Sequence, residues 1–247
     1  MYYYRSYMIK QIDDETQFEG YTVTDIFSVR ILSLLGAYGC KYPFARFYRQ
    51  INEGGNITAI LSVLDRDITV SYDDIADREE LTKFVSVIGY DSVLCSELPI
   101  VSGACESGAI MQSDKTYELP NRFGAVNEYP NLFELYNFIG YGANSFDAWY
   151  VDINHRIRHG FAKAFTLEIG GEIVSSAIFS SIHNKCAILT AVRTKPELRG
   201  TGYATALISS ICCDFGGTVY LMRENGKNES FYKKLGFKNT GIWRIYK

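Results

Sequence analysis

The feature that most constrains the fold is an internal repeat of a glycine turn followed by two strands. Segments 54–64 and 170–182 each open with Gly-Gly and continue as an alternating, β-branched run. Each then turns through polar residues into a second β-rich segment, 68–72 or 186–193. This pattern is typical of antiparallel hairpins. The repeat therefore predicts two similar halves, although two unrelated hairpins could share the same pattern.

A boundary between the halves is predicted from the distribution of proline and glycine. Three of the five prolines, Pro99, Pro120 and Pro130, fall in a polar stretch without a sustained helical or strand period. A length of 247 residues fits one large domain or two modest ones. We therefore predict domains at 1–118 and 119–247.

The second half reads as an α+β domain with a mostly antiparallel sheet. Ser145 precedes a predicted helix, 146–159, whose buried face would carry Phe146, Tyr150, Ile153 and Ile157. The other predicted elements are helices 131–140, 204–215 and 229–235 and strands 161–169, 173–182, 186–193, 219–223 and 241–246.

A glycine-rich loop, Arg199-Gly200-Thr201-Gly202-Tyr203-Ala204, lies between a predicted strand and a predicted helix. In such a loop, backbone N–H groups and the positive end of the helix dipole converge on one point. Glycines let a ligand approach the backbone, and an arginine adds a cation for a phosphate. Taken alone, the loop is also compatible with a tight turn from strand to helix.

The run 192–204 closely resembles the acyl-CoA-binding motif of the GNAT superfamily of N-acyltransferases. The family's core, R/Q-x-x-G-x-G/A, is matched by Arg199, Gly202 and Ala204. Downstream, Asn225 stands seven residues before Tyr232, in a segment that ends in Leu-Gly-Phe and resembles the family's last helix. The resemblance implies tandem GNAT-like folds, each a mostly antiparallel mixed sheet flanked by helices.

The resemblance also implies roles for individual residues. Backbone groups of Val192, Arg193 and Thr194 would pair with the pantetheine arm of acetyl-CoA. Asn225 would contact the cofactor, and Tyr232 would protonate the departing thiolate, unless it is only a packed aromatic. The backbone amides that would hold the pyrophosphate are those of Arg199, Gly200, Thr201, Gly202, Tyr203 and Ala204.

The first half matches only through the repeat. Its segment 73–80 occupies the place of the glycine loop, contains no glycine and carries five acidic side chains. These carboxylates would repel a phosphate. We therefore expect a degenerate copy without a cofactor loop.

The sequence departs from the family where a general base is often found. Many members carry a glutamate on the strand before the pyrophosphate loop, whereas segment 189–191 has no carboxylate. Asp152, His155 and Glu168 are candidates, and deprotonation through water or before binding is an alternative.

Segment 152–160 is dense in polar groups. In the resembled fold this helix borders the acceptor cleft, so Asp152 and His155 are candidate substrate residues. The simpler interpretation is that Arg158 and His159 favour the helix C-terminus electrostatically. His155 and His159 are spaced for a metal, but no third ligand is evident, and no metal is predicted.

Charge and hydropathy limit the classes of partner that are expected for this chain. Hydrophobic residues make up 47% and the formal net charge is -3, so neither disorder nor a global nucleic-acid-binding field is expected. No apolar run reaches membrane-spanning length, the N-terminus does not resemble a signal peptide, and none of the six cysteines forms a CxxC pair. We expect a cytoplasmic protein, with the oligomeric state, a homodimer included, left open.

The predicted function is transfer of the acetyl group of acetyl-CoA to a primary amine of a small molecule or peptide. One alternative is transfer of another acyl or aminoacyl group. The other is a non-catalytic acyl-CoA-binding or regulatory module, which the missing strand carboxylate favours and Tyr232 disfavours.

Overall fold

The computed structural model describes residues 8–100, 103–113, 124–141 and 145–247. Short 3₁₀ turns at Glu15–Phe18 and Pro196–Leu198 supplement the regular elements. None of the helices in these ranges is both long and apolar enough to span a bilayer. The elements in chain order are β1 (Met8–Gln11), α1 (Ile26–Tyr38), β2 (Ala45–Ile51), β3 (Ile57–Leu64), β4 (Asp67–Tyr72), α2 (Arg78–Ile88), β5 (Ser92–Cys95), β6 (Cys105–Ser113), β7 (Ala125–Asn127), α3 (Leu132–Ile139), α4 (Phe146–Arg158), β8 (Lys163–Ile169), β9 (Glu172–His183), β10 (Cys186–Thr194), α5 (Tyr203–Phe215), β11 (Thr218–Glu224), α6 (Glu229–Lys234) and β12 (Lys238–Tyr246).

The chain folds into two compact units, residues 1–110 with 241–247, and residues 111–240. The predicted boundary near residue 118 lies outside the described residues, so the division into 1–118 and 119–247 stays a prediction. The sequence places the C-terminal strand in the second half. Its final residues belong to the first unit because Ile245 pairs with Leu94 of β5.

The first unit has a sheet in the order β1-β2-β3-β4-β5-β12. All neighbouring pairs are antiparallel except β4 and β5, which pair in parallel over residues 67–69 and 92–94. Side chains of β4 alternate between the two faces. Val70 packs in the core against Leu81 of α2, and Thr69 accepts a hydrogen bond from Arg30 of α1. The sheet is therefore covered by one helix on each face.

The second unit repeats this topology in the order β7-β8-β9-β10-β11. Only β10 and β11 are parallel, over residues 186–188 and 218–220. One face packs on α5, where Phe179 and Leu189 meet Leu207 in the main core. The other face packs on α3 and α4, where Ile178 meets Leu135 and Ile153.

The predicted repeat is present in three dimensions. In both units, two hairpin turns join three antiparallel strands. The third of these strands then pairs in parallel with a fourth strand over three residues. Both Gly55 and Gly171 have positive φ in the first of these turns. The predicted fold class, tandem α+β folds with mostly antiparallel sheets flanked by helices, is confirmed.

One helix face differs from the prediction. Tyr150, expected on the buried face of α4, is 39% exposed and stacks on Phe146, with ring centroids 5.4 Å apart. Arg156 is buried in its place and is 9% exposed. The apolar spacing is compatible with either face, and packing against β9 selects the one that carries Arg156.

Candidate functional site

A bulge in β10 shapes the site. Between Thr190 and Arg193 the pairing advances three residues on β10 but only two on β9. Ala191 adopts φ +52°, in the left-handed region, and its carbonyl accepts a hydrogen bond from Ser176 Oγ at 3.0 Å. Bulges re-aim backbone groups near functional sites, and here the pairing with β9 is interrupted after Thr190 and resumes at Arg193 and Thr194.

A cleft of about 480 Å³ lies between the end of β10, the start of α5 and α6. This volume is in the range of small-molecule sites. Its described lining residues are Val192, Arg193, Thr194, Leu198, Arg199, Gly200, Gly202, Tyr203, Ala204, Thr205, Asn228, Ser230, Phe231, Tyr232 and Lys234.

The glycine loop forms the anion-binding end of this cleft. Gly200 and Gly202 have φ of +80° and +98°, values that favour glycine. No side chain caps the N-terminus of α5, so its first-turn N–H groups are left for another acceptor. A Cβ atom at Gly200 would meet nothing within 4 Å, which leaves room for a ligand against the backbone. Thr201 closes the turn by donating from Oγ1 to the Leu198 carbonyl at 2.5 Å.

The charge of the cleft is positive. Its described lining includes Arg193, Arg199 and Lys234 and no carboxylate. The guanidinium of Arg193 donates to the carbonyl of Ile139 at the end of α3, where a Cβ atom at Gly140 would lie 2.8 Å from Nη1. A polyanionic ligand is therefore favoured electrostatically.

Tyr232 lies on α6 and lines the cleft, packed between Phe231 and Phe237 with ring centroids at 5.0 and 5.8 Å. Burial raises the pKa of Tyr232, and no charge or hydrogen bond among the described residues offsets that effect. The phenol therefore stays protonated at neutral pH, as a proton donor must.

The cleft brings together most of the residues predicted to hold the cofactor. All of them line it except Thr201, which closes the loop, and Asn225, which lies in the exposed turn after β11. Asn228, which was not predicted from the sequence, lines the cleft as the N-cap residue of α6, with φ +57°. The tolerance of asparagine for the left-handed region was the available signal.

The candidate substrate residues lie elsewhere on α4. Asp152 forms an ion pair with Arg156, and the ring of His155 stacks on His159 with centroids 4.2 Å apart. Neither residue lines the cleft. Glu168 accepts hydrogen bonds from Asn127 and Thr166, both at 2.8 Å. Within the described ranges, no group of three potential metal ligands occurs.

In the first unit, hydrogen bonds close the space beyond the parallel strands β4 and β5, which corresponds to the cleft of the second unit. Tyr72 lies three residues after Thr69, the last residue of β4 that pairs with β5. Its hydroxyl group forms hydrogen bonds with the segment that follows β5. It accepts from Ser96 Oγ at 2.8 Å and from the Glu97 amide at 3.1 Å, and it donates to the Glu97 carbonyl. Where the second unit has a glycine loop, Asp77 caps α2 through the Glu80 amide.

Comparison with known proteins agrees with this geometry. Residues 128–237 match the profile of the Acetyltransferase (GNAT) family. These residues form a GNAT domain. The match confirms the predicted family and the predicted enzyme class, an acyl-CoA-dependent acyltransferase. No curated protein matches in sequence.

Solved structures show the same fold over more of the chain. A GCN5-related N-acetyltransferase from Sphaerobacter thermophilus superposes with a TM-score of 0.60 at 11% identity, covering 97% of this chain and 94% of its own. A tandem GNAT protein from the clavulanic acid biosynthesis pathway gives 0.56 at 10% identity, covering 98% of both chains. A GNAT-family protein from Novosphingobium aromaticivorans gives 0.52 at 18% identity, covering 75% and 86%. The likeness in fold to these proteins thus extends across both units.

Proposed function

We propose that the GNAT domain transfers the acetyl group of acetyl-CoA to a primary amine, with Tyr232 as general acid. The observation that carries the proposal is the cleft itself. It joins an uncapped helix N-terminus, three basic side chains and a half-buried, protonated phenol. This combination suits a ligand with phosphates at one end and a leaving thiolate at the other.

The amides of the glycine loop and Arg199 would hold the pyrophosphate, and the backbone of Val192 to Thr194 would orient the pantetheine arm. When bound, acetyl-CoA supplies an activated acyl carbon with a thiolate leaving group. The acceptor nitrogen forms the new C–N bond as the C–S bond breaks. Tyr232 donates its proton to sulfur and regains one from solvent.

The acceptor amine must lose a proton for this reaction. The described residues that line the cleft include no histidine or carboxylate. We infer that the amine is deprotonated in solution or through water rather than by a side chain of the cleft. The rate should then follow the fraction of neutral amine as pH rises.

Calorimetric titration with acetyl-CoA, CoA and a CoA analogue that lacks the pyrophosphate tests the proposal. We expect one site per chain and a strong loss of affinity without the pyrophosphate. Thr205→Glu adds a negative charge to the first turn of α5, which the helix tolerates. Its repulsion of the pyrophosphate should weaken binding at least about fivefold, since unit charges 4 Å apart in water interact by about 1 kcal/mol.

The matched control is Thr205→Gln, which has the same size without the charge and should bind within about threefold of wild type. Equal effects of both variants, or no binding of any CoA compound, would refute the assignment of the loop. Tight binding without transfer to any amine would favour the non-catalytic module. Choice of the acetyl donor, the cytoplasmic location and the oligomeric state stay predictions from the sequence.

A further inference from the structure

A second cavity, of about 440 Å³, lies within the GNAT domain on the face of the sheet that carries α4. The described residues that line it are Tyr141, Ser145, Ala148, Trp149, Ile153, Arg156, Ile178, Ser180 and Thr190. None of these was predicted as a substrate residue. The volume is sufficient for a small aromatic molecule.

This cavity and the acyl-CoA cleft share one strand. Thr190 lines the cavity, and Val192, two residues further along β10, lines the cleft. Two residues of chain span at most about 7 Å, whatever the conformation of the bulge between them. A molecule in the cavity would therefore lie beside the part of β10 at which the acyl group is expected.

The residues that line this cavity favour a ligand with an apolar body and disfavour a polycation. The rings of Tyr141 and Trp149 lie 5.7 Å apart, and Ile153 and Ile178 add aliphatic surface. No carboxylate belongs to the described lining. A polyamine or an amino sugar with several ammonium groups would lose hydration here without gaining a counter-charge.

Arg156 supplies the one charged group of the described lining. Its Nη1 donates to the Ser180 carbonyl at 2.7 Å and its Nη2 pairs with Asp152, which fixes the guanidinium against β9. Its Nε is buried without a hydrogen-bond partner. A buried donor that lacks an acceptor is costly and calls for a functional explanation.

Building on the proposed acetyl transfer, we propose that this cavity is the acceptor site and that the acceptor is an aromatic amine that also carries a carboxylate. Arg156 binds the carboxylate through charge-assisted hydrogen bonds, the aromatic and aliphatic residues hold the ring, and the amine faces β10. The ion pair with Asp152 keeps the guanidinium oriented before the acceptor arrives.

Matched acids and amides test the proposal. L-Phenylalanine is compared with L-phenylalaninamide, and 4-(aminomethyl)benzoate with 4-(aminomethyl)benzamide, by CoA release from acetyl-CoA. We expect kcat/KM to be at least about tenfold higher for the acid in one pair or both, because charge-assisted hydrogen bonds are about twice as strong as neutral ones. Spermidine should be a poor acceptor.

Two variants test whether Arg156 causes the preference for acids over amides. Arg156→Gln combined with Asp152→Asn removes both charges together, and the ratio of acid to amide should fall close to one while the KM for acetyl-CoA is retained. Arg158→Gln removes an exposed arginine of the same helix and should leave the ratio unchanged. Thermal unfolding checks that each variant is folded.

A second measurement separates failure of this inference from failure of acetyl transfer. Quenching of tryptophan fluorescence by the four compounds without acetyl-CoA reports occupation beside Trp149, and Trp149→Phe identifies the signal. Acids that quench more strongly than amides support the acceptor site even if acetyl-CoA does not bind. Equal quenching and equal rates, a preference for spermidine, or no response to either acid would overturn it.

Discussion

Arg223 Nη2 lies 2.8 Å from Glu229 Oε2 and joins the end of β11 to the first residue of α6. Glu229 also pairs with Lys233 Nζ at 2.7 Å and accepts a hydrogen bond from Asn239 at 3.2 Å. Helix α6 has only six residues and no side-chain cap. Because so short a helix is not stable by itself, these contacts hold α6, and with it Tyr232, in place.

Glu229→Gln should therefore lower kcat about fivefold or more, since small displacements of a catalytic group are costly, with the affinity for CoA changed less than about twofold. Glu224→Gln, which alters only an exposed pair with Lys227, is the control. Bonds from Lys233 and Asn239 lower the pKa of Glu229. The stabilisation by these contacts of Glu229 is thus complete above the ordinary glutamate pKa of about 4.3. It is lost as the pH falls through the lower pKa that Glu229 has in the folded protein. Equal loss of CoA affinity and kcat would contradict this role.

Tyr232→Phe should reduce kcat about 100-fold, the usual scale of general acid catalysis, without changing the affinity for CoA. Because burial raises the pKa of Tyr232, the wild-type rate should decline only above the ordinary tyrosine value of about 10. The variant should lack that decline. Tyr150→Phe, at an exposed tyrosine of α4, should behave as wild type. An unchanged kcat in Tyr232→Phe would exclude the proton-donor role.

Tyr72→Phe should destabilise the first unit without altering the GNAT site. The variant loses the hydroxyl that bonds to Ser96 and Glu97, at about 1–2 kcal/mol in urea unfolding. Acetyl-CoA should still bind at one site per chain, because the first unit has no glycine loop to hold a pyrophosphate. A second site in the variant would show instead that Tyr72 alone blocks binding.

Asp25 caps α1 through the Ser28 amide at 2.6 Å and accepts a hydrogen bond from Ser71 at 3.0 Å. Burial raises the pKa of Asp25, so its contribution to stability declines as pH rises from about 3.9 through the folded value. Asp25→Asn should gain stability relative to wild type over that range and keep the gain at pH 7. Asp25→Ala should lose about 1 kcal/mol or more with the cap. Chemical denaturation at several pH values measures both, and a gain that shrinks with rising pH would contradict the sign.

Gly140→Ala and Gly160→Ala form a matched pair at the ends of α3 and α4. Both glycines have positive φ, +70° and +80°, so both variants carry a strain of about 1 kcal/mol. A Cβ atom at Gly140 would also lie 2.8 Å from Arg193 Nη1, whereas at Gly160 nothing lies within 4 Å. Gly140→Ala should therefore be the less stable variant and the only one with weaker acetyl-CoA binding. Equal unfolding midpoints would exclude an effect of the Arg193 contact.

Local signals predicted the elements of the second unit closely. Asn131 and Gly140 flank α3 as N-cap and left-handed C-cap, and Gly216 ends α5 in the same way. These residues act on the backbone of their immediate neighbours. The glycine loop was predictable for the same reason, because its function depends on consecutive backbone groups.

Burial of polar groups was not predictable in this way. Tyr150 and Arg156 each lie three residues from the buried Ile153, so helical spacing allows either side chain on the inner face of α4. The hydrogen bond from Arg156 to the Ser180 carbonyl places Arg156 there. The bulge at Ala191 depends on Ser176 of the neighbouring strand. Neither partner can be identified from local periodicity.

The sequence by itself determined the repeat, the glycine loop and the position of Tyr232 on the last helix, because each is written in residues adjacent along the chain. The tertiary structure alone decided which polar groups face a cavity. Arg156 of α4 and Thr190 of β10 line the same cavity. Tyr72 closes the parallel pair of the first unit, whereas a cleft lies at the end of β10 in the second unit. These outcomes depend on packing between segments far apart in sequence, where alternative faces have similar patterns and only the whole core distinguishes them.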